Sequence, residues 1–339
     1  MGSPHRTTTP RGATFRRRIV SVPMIPLGGI VLLVLLPIWL PIMLVVDLLT
    51  APRRLPRTRL LLFGLCWFWL ETGALLRIFF VWATGGADDI ERMTGAQRWW
   101  STNLLRALRI TAGMRVEVEG VEALAPGRAI VMARHACLAD SLVTAWTIVG
   151  KAHKRVRFVL KRELLSDPCL DIAGNRLQNH FLDRHATDSG PELESLRALA
   201  VGLGPDECGA IYPEGTRANP KKRARALEKI GERDPARAQR LAGLRHLIPP
   251  RPAGALAMLE GAPDADVVLA WHIGFDGMDT FPGILAGVPP LFVGRTIRFV
   301  ARRIPRAEVP GGDAFTEWLD RQWLGLDAEV DTALAEARA

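Results

Sequence analysis

The stretch AIVMARHACLAD, residues 129–140, decides the fold of this chain. Its first five residues are apolar, as in a buried strand, and a histidine and an aspartate follow, five residues apart. In a regular helix five residues turn through about 500°, and in a strand an odd separation puts two side chains on opposite faces. Only a turn brings His135 and Asp140 together, so we predict a strand that ends near Ala133, a turn, and a helix that starts near Asp140.

The pairing of these two side chains has a chemical consequence. A carboxylate that accepts a hydrogen bond from an imidazole fixes the tautomer of the ring and stabilises the imidazolium that forms during proton transfer. The chain contains neither GxSxG nor SxxK, so no serine has the setting of a nucleophile. We therefore expect His135 and Asp140 to be catalytic, with a substrate hydroxyl as the nucleophile. Cys137 is interpreted as a small buried side chain, with an acyl-relay thiol as the alternative.

Apolar runs like the one at 129–133 recur along the chain and are separated by helical stretches. Strands that alternate with helices predict an α/β fold with a largely parallel sheet flanked by helices, and the HxxxxD motif lies at a strand–turn–helix junction of that fold. The other strand-like runs lie at 116–120, 157–161, 180–184, 209–213 and 267–273.

The run at 209–213 leads into a second motif, EGTR, which consists of Glu214, Gly215, Thr216 and Arg217. Glycine allows a close backbone approach, hydroxyl and guanidinium groups donate hydrogen bonds to a phosphate, and a carboxylate orients these donors. Loops at the carboxyl ends of parallel strands are where such sheets bind ligands. The motif predicts a phosphate site, and a turn held by a salt bridge is the alternative.

Two long apolar segments occupy the first 90 residues. Residues 19–46 contain no charged side chain, and a helix of that length at ~1.5 Å per residue exceeds the ~30 Å hydrocarbon core of a bilayer. Residues 60–87 form a second segment, which includes Glu71 and Arg77. Arginines precede the first segment and fill the connecting loop, so the positive-inside rule places both on the cytoplasmic side. We predict a membrane hairpin that enters one leaflet and returns, with simple spanning as the alternative.

These patterns divide the chain into five parts. Helical apolar spacing combined with arginines after the hairpin is typical of a helix on a membrane surface, and a core helix fits the same pattern. The catalytic domain is expected at the cytoplasmic face of the membrane. The parts are a basic N-terminal tail (1–18), the membrane hairpin (19–90), the interfacial helix (91–114), the catalytic domain (115–310) and a C-terminal helical segment (311–339).

A basic insertion at 217–251 holds most of the net charge. Its eleven lysines and arginines and three acidic residues amount to +8 of the +9 of the whole chain. Because no nucleic-acid-binding fold and no interleaved aromatic side chains accompany it, we expect no nucleic acid partner. We interpret the insertion as a collar for anionic lipid headgroups or for the phosphates of an acyl donor, with a solvated charged helix as the alternative.

Composition and residue spacing exclude several other classes of protein. With 48% hydrophobic and 23% charged residues, the chain is neither a disordered protein nor a disulfide scaffold. The four cysteines form no CxxC pair and the histidines show no HExxH, so we expect no metal. The sequence also lacks GxxxxGK and a GxGxxG that opens a βα unit, which argues against a nucleotide cofactor. The oligomeric state is left open.

Together these motifs resemble those of the glycerolipid acyltransferases of the lysophosphatidic acid acyltransferase type. The segment that begins at Lys161 fits the KxELxxxP element of that family, and the segment that ends at Arg184 fits its FxxR element. The sequence GLRHLIPPRPAG at 243–254 is similar to the LKHxLxPRxxGF element of the longer, eukaryote-like branch. The resemblance covers roughly residues 115–325.

The resemblance implies a reaction and its participants. His135 would be a general base oriented by Asp140, the EGTR motif would hold the phosphate of the acceptor, and Arg184 and Lys161 would be further cations. The reaction would move a fatty acyl group from acyl-CoA or acyl carrier protein to the free sn-2 hydroxyl of lysophosphatidic acid, which yields phosphatidic acid for phospholipid synthesis. These thioesters are co-substrates, so no cofactor is expected, and the expected partners are the lysophospholipid, the acyl thioester and membrane lipids.

Two alternatives stay open. The acceptor is another lysolipid, such as lysophosphatidylinositol, lysocardiolipin or an amino-acid lipid, or the chain is a non-catalytic protein that binds anionic membranes. Two residues also depart from the family pattern. Arg134 stands where an asparagine usually precedes the histidine, and Asp171 stands where a glycine often follows Pro168 by three. We expect the charge of Arg134 to lower the pKa of His135 or to bind an anionic substrate.

Overall fold

The computed structural model describes residues 11–137, 139–183, 190–279 and 293–338. By its internal contacts the chain divides into two compact units. The N-terminal unit comprises Met1–Arg115, Leu160–Ala186 and Val288–Arg295. The sheet unit comprises Val116–Val159, Thr187–Gly287 and Thr296–Ala339.

Four helices form most of the N-terminal unit. Two segments, Gly12–Val34 and Pro56–Ala83, are long and apolar enough to cross a membrane, and many of their apolar side chains are exposed. The helices are α1 (Arg11–Val34), α2 (Leu36–Thr50), α3 (Pro56–Ala83) and α4 (Ile90–Ala112).

The break between α1 and α2 lies close to a proline. The break falls at Leu35, two residues before Pro37, and the indole of Trp39 donates a hydrogen bond of 2.7 Å across it to the carbonyl of Leu32. A second proline, Pro41, lies within α2. A proline in a helix removes one backbone hydrogen bond, and α2 continues past that loss.

Buried acids hold the helices of this unit together. The carboxylate of Asp47 accepts hydrogen bonds from the backbone N–H of Thr58 at 2.8 Å and from the Arg57 guanidinium at 3.2 Å, which fixes the turn between α2 and α3. In α3, Glu71 accepts a hydrogen bond of 2.7 Å from the indole of Trp100 in α4. A buried carboxyl group in an apolar segment costs free energy unless it is hydrogen-bonded, and Glu71 makes such a bond to α4.

Asp171, which departs from the family pattern, forms ion pairs with two arginines. Its buried carboxylate pairs with Arg17 at 2.7 Å and with Arg18 at 3.0 Å, both from α1. The start of the first apolar helix is thus tied to a segment more than 150 residues later in the chain.

The structure confirms the predicted α/β fold with a largely parallel sheet. In the sheet unit the strand order is β1-β7-β6-β2-β5-β3. Strand β2 is parallel to both neighbours, β3 is parallel to β5, and β6 pairs with β7 in antiparallel fashion. The strands of the described residues are β1 (Arg115–Glu119), β2 (Ala129–Ala133), β3 (Arg155–Lys161), β4 (His180–Leu182), β5 (Glu207–Ile211), β6 (Asp266–Ile273) and β7 (Thr296–Ile304).

The sequence analysis missed β7. Its sequence, TIRFVARRI, buries Ile297, Phe299 and Ala301 at alternate positions. Three arginines interrupt the strand, and this density of charge hides the period-two pattern of a half-buried strand.

Helices cover the sheet and complete its core. Strand β2 is buried along its whole length, and α6, α9 and α10 contribute Leu199, Met258 and Trp323 to the same apolar cluster. Helices α6 and α9 approach closely at Gly261, where an added Cβ would lie 2.1 Å from the carbonyl oxygen of Arg197. The helices of this unit are α5 (Asp140–Ala145), α6 (Gly190–Ala200), α7 (Pro220–Gly231), α8 (Pro235–Leu241), α9 (Pro252–Gly261) and α10 (Ala314–Glu336).

Part of the basic insertion is neutralised within the fold. Arg237 and Arg240 both pair with the buried carboxylate of Asp320 in α10, at 2.8 and 3.0 Å. Arg245 pairs with Asp331 of the same helix at 2.8 Å. These three arginines form ion pairs within the fold. A collar for anions would therefore have to consist of the remaining basic residues, such as those of α7.

Candidate active site

The two residues of the HxxxxD motif meet as their spacing predicted. Strand β2 ends at Ala133, the chain turns, and α5 begins at Asp140. Across this turn the Nδ1 atom of His135 lies 2.7 Å from Oδ2 of Asp140. The His135 side chain is 13% exposed and that of Asp140 is fully buried, so the imidazole is the member of the pair that solvent reaches.

Asp140 is held by the backbone of its own turn. Its Oδ2 atom accepts hydrogen bonds from the N–H groups of Ala136 at 2.6 Å and Cys137 at 2.9 Å, and the Cys137 thiol donates to Oδ1 at 2.8 Å. Burial by itself raises the pKa of Asp140, but the facing imidazoles of His272 and His135 lower it more, so the pKa lies well below its usual range. The carboxylate therefore stays ionised at neutral pH.

His272 is a site residue that sequence reasoning missed. It lies near the end of β6, next to β2 in the sheet, and its Nε2 atom is 2.8 Å from Oδ1 of Asp140. In the sequence, the spacing of this histidine from the others shows only that it has no metal-ligand pattern. Its position at the end of the predicted strand 267–273 indicates that it lies at an edge of the sheet. Which strand lies beside it is decided by the tertiary fold, so the contact with Asp140 could not be predicted.

Glu214 joins the two motifs through the backbone. Its carboxylate, 1% exposed, accepts hydrogen bonds from the N–H of His135 at 2.7 Å and from the N–H of Ile248 at 3.0 Å. Burial raises its pKa to about 8, although these two hydrogen bonds act in the opposite direction. Glu214 thus positions the backbone of the histidine, a contact that the interpretation as an orienter of phosphate donors did not include.

The rest of the EGTR loop leaves donors for a ligand. Gly215 has φ +65°, a conformation that favours glycine, and its N–H donates to the carbonyl of Tyr212 at 2.9 Å. Thr216 is half-buried in the same loop. The Nε and Nη1 atoms of Arg217 are buried and have no hydrogen-bond partner among the described residues. A buried guanidinium without a partner favours an anionic ligand.

Tyr212 and the backbone fix the orientation of the histidine. The rings of Tyr212 and His135 stack with centroids 4.7 Å apart at 29°, and the Tyr212 hydroxyl bonds Thr144 at 3.2 Å. The N–H of Ala218 donates to the carbonyl of His135 at 2.7 Å. Burial raises the pKa of Tyr212, so the phenol is neutral beside the histidine.

Comparison with known proteins agrees with this arrangement. Residues 115–258, which include His135, Asp140 and the EGTR loop, match the family model described as Acyltransferase. The matched segment is thus similar to the acyltransferase family, which is the family that the motifs indicated.

Two further proteins are similar to this chain. An uncharacterised acyltransferase of Schizosaccharomyces pombe is 28% identical over 228 residues, which cover 63% of this chain and 62% of that protein. The crystal structure of the 1-acyl-sn-glycerophosphate acyltransferase PlsC from Thermotoga maritima aligns with a TM-score of 0.44 and 14% identity, covering 76% of this chain and 95% of the other. The chain thus spans less than two thirds of the length of the yeast relative.

Arg134 is not placed to bind an anionic substrate, which is one of the two roles expected for it. Its side chain is 4% exposed, pairs with Asp276 at 2.8 Å and donates to the carbonyl of His272. Burial by itself raises the pKa of Asp276, but the charge of Arg134 lowers it more, so Asp276 stays ionised. Arg134 is therefore engaged in a buried ion pair that joins the ends of β2 and β6, which takes it out of reach of an anionic substrate.

The remaining candidates of the sequence analysis lie elsewhere or are inert. The Cys137 thiol is buried and its pKa is raised by burial and by the charge of Asp140, which disfavours the thiolate needed for an acyl relay. Lys161 is the half-buried last residue of β3 and belongs to the N-terminal unit. Arg184 lies outside the described residues.

Among the described residues, two groups of side chains have the donor types of a metal site. In the sheet unit, Cys137, Asp140 and His272 bring possible ligand atoms within 4.8 Å of one another. The Cys137 thiol donates a hydrogen bond of 2.8 Å to Asp140, and Nε2 of His272 lies 2.8 Å from the same oxygen, so Asp140 is engaged by protein groups. The second group, Glu71, Asp167 and Cys169, lies in the N-terminal unit.

Proposed function

We propose that this acyltransferase moves a fatty acyl group from acyl-CoA, or from an acyl carrier protein, to the free sn-2 hydroxyl of lysophosphatidic acid. The observation that supports this most directly is the pairing of a partly exposed imidazole with a fully buried, ionised carboxylate at 2.7 Å. Such a pair takes a proton from a hydroxyl group without forming a covalent enzyme intermediate. The product would be phosphatidic acid.

In the proposed mechanism His135 acts through Nε2, because Nδ1 is engaged by Asp140. The proton of the sn-2 hydroxyl moves to Nε2 as the hydroxyl oxygen attacks the thioester carbonyl carbon. The resulting imidazolium is stabilised by the adjacent carboxylate. Collapse of the tetrahedral intermediate breaks the carbon–sulfur bond, and the thiolate takes the proton from Nε2, which returns the histidine to its starting state.

The phosphate of the acceptor is assigned to the loop after β5. Arg217 supplies buried donors without a protein partner in the described part of the chain, and Thr216 and the backbone at Gly215 lie beside it. A guanidinium group binds phosphate through parallel hydrogen bonds. Lys161 and Arg184 are assigned as further cations by the family resemblance alone.

The N-terminal helices supply access to a substrate that stays in the bilayer. The apolar residues exposed on α1 and α3 suit a lipid environment, and arginines cluster before α1 and between α2 and α3. By the positive-inside rule we assign both clusters, and with them the sheet unit, to the cytoplasmic face.

Acyl transfer by a His135→Ala variant tests the proposal. With purified protein in lipid nanodiscs, acyl-CoA and lysophosphatidic acid, we expect kcat to fall on the order of 10⁴-fold because the general base is lost. His246→Ala is a matched control, since His246 also pairs with an aspartate, Asp331, at 2.8 Å. Undiminished turnover by His135→Ala would contradict the mechanism.

The same assay separates the acceptors. A mixture of lysophosphatidic acid, lysophosphatidylinositol, lysocardiolipin and an amino-acid lysolipid, analysed by mass spectrometry, identifies the product formed fastest. A dominant product other than phosphatidic acid would keep the mechanism and replace the acceptor. Vesicle binding by wild type and His135→Ala without acyl transfer to any acceptor would indicate a non-catalytic membrane-binding protein.

A further inference from the structure

A second histidine contacts the aspartate of the HxxxxD motif from the opposite side. His135 lies 2.7 Å from one carboxylate oxygen of Asp140, and His272 lies 2.8 Å from the other. The two histidines differ in access to solvent, since the side chain of His272 is only 2% exposed. His272 is therefore too deeply buried to be the group that meets the substrate.

The surroundings of His272 hold its ring in place. The ring packs edge-on against Phe275, with centroids 5.8 Å apart at 83°, and Arg134 fixes the backbone carbonyl of His272 by a hydrogen bond. Neither ring nitrogen has a partner among the described residues at the angle that a hydrogen bond requires. The polar interaction that this ring position allows is therefore the close contact of Nε2 with the charged carboxylate of Asp140.

Asp140 needs such a group because its two oxygens have different tasks. Oδ2 faces the catalytic imidazole and two backbone N–H groups, whereas Oδ1 faces the Cys137 thiol, the N–H of Cys137 and His272. A buried carboxylate with one weakly held oxygen could rotate and lose its alignment with His135. A thiol is a weak donor, so the imidazole is the stronger group on that side.

We propose that His272 is a positioning residue for acyl transfer: its imidazole, with Nε2 2.8 Å from Oδ1 of Asp140, holds the carboxylate so that Oδ2 stays aligned with Nδ1 of His135. This inference rests on the proposed role of His135 as the general base. It adds a third side chain, from β6, to a pair that the HxxxxD motif takes from a single turn.

The proposal has a consequence for the proton affinity of His135. The ionisable groups around Asp140 are His135 and Cys137 from its own turn, Tyr212 from the end of β5 and His272 from β6, with the Arg134–Asp276 ion pair and Glu214 beyond them. The contact of Nδ1 with Oδ2 stabilises the imidazolium of His135. Without His272, Oδ2 loses its alignment with Nδ1 and the imidazolium loses that stabilisation, so the pKa of His135 falls.

Three substitutions test this geometry. His272→Leu removes the donor and keeps an apolar side chain. His272→Gln places an amide N–H near the position of Nε2, whereas the shorter His272→Asn places it near Nδ1, out of reach of Asp140. The glutamine and asparagine variants have the same chemistry, so their comparison stays informative where the leucine variant folds poorly.

The first measurement is an NMR titration of His135 in histidine-labelled, full-length protein, which does not depend on any assumed substrate. We expect the titration midpoint of His135 to move to lower pH in His272→Leu and His272→Asn and to stay near the wild-type value in His272→Gln. An unchanged midpoint in the leucine and asparagine variants, or an equal shift in all three, would overturn the proposal.

The second measurement is kinetic. In His272→Leu and His272→Asn we expect kcat to fall on the order of ten- to a hundredfold, with an unchanged KM for the acceptor and the acidic limb of the pH–rate profile moved to lower pH. The glutamine variant should keep most of the activity. Full activity in the asparagine variant would contradict the proposal. If wild type transfers no acyl group, the proposed function fails, and the titration still decides the role of His272.

Discussion

The turn after β2 and the loop after β5 lie at the same end of two neighbouring parallel strands, yet they use their polar groups in opposite ways. In the turn after β2, Asp140 is surrounded by donors and Arg134 is paired with Asp276. In the loop after β5, the guanidinium of Arg217 is half-buried with two nitrogen atoms that lack a partner in the described part of the structure.

This difference follows from the chemistry assigned to each loop. A proton-transfer pair has to keep one geometry, so its hydrogen bonds are made within the protein. A cation that binds a ligand has to keep donors for that ligand, at a cost to the stability of the free protein. The first loop should therefore respond to substitution through kcat or stability, and the second through substrate binding.

Of the three substitutions that test this comparison, Asp140→Asn is expected to have the largest effect. The amide cannot stabilise an imidazolium and would set an N–H₂ group against backbone donors, so we expect kcat to fall on the order of 10³-fold with little change in KM for the acceptor. Steady-state kinetics with varied lysophosphatidic acid measures both, and thermal unfolding measures the folded fraction. A loss that appears in KM alone would remove the distinction between the two loops.

A smaller effect, on stability, is expected for Arg134→Met. The substitution leaves the carboxylate of Asp276 without its partner. We expect the free energy of unfolding to fall by about 3 kcal/mol, and not by more, because Asp276 is partly exposed. The matched control is Arg128→Met, which breaks an exposed pair with Asp264 and should change the free energy by less than about 1 kcal/mol. Denaturation followed by tryptophan fluorescence compares the two, and equal changes would refute the structural role of Arg134.

The smallest effect is expected for Arg217→Ala. Loss of the guanidinium should raise KM for lysophosphatidic acid about tenfold and leave kcat and stability nearly unchanged. Arg321→Ala, on the exposed side of α10, is the matched control and should leave KM as in wild type. Monoacylglycerol, an acceptor without a phosphate, should be used equally well by wild type and Arg217→Ala. If the two proteins differ in their activity on monoacylglycerol, Arg217 does not act by binding the phosphate.

Local pattern was enough to predict the catalytic turn and most strands. The apolar run at 129–133 ends where β2 ends, and a five-residue spacing leaves a turn as the only way for His135 to meet Asp140. The alternation of apolar runs with helical stretches likewise predicted the largely parallel sheet. These features depend on backbone geometry over a few residues, which the sequence states directly.

Contacts between distant residues depended on the tertiary structure. His272 meets Asp140 across 132 positions because β6 is the neighbour of β2, and no local pattern states the order of strands in a sheet. The same reason applies to the Arg134–Asp276 pair and to the hydrogen bonds of Glu214 with two separate loops. The sequence by itself determined which groups can do the chemistry; strand order and register decided which of them are held, paired or left for a ligand, because those follow from packing of the whole chain.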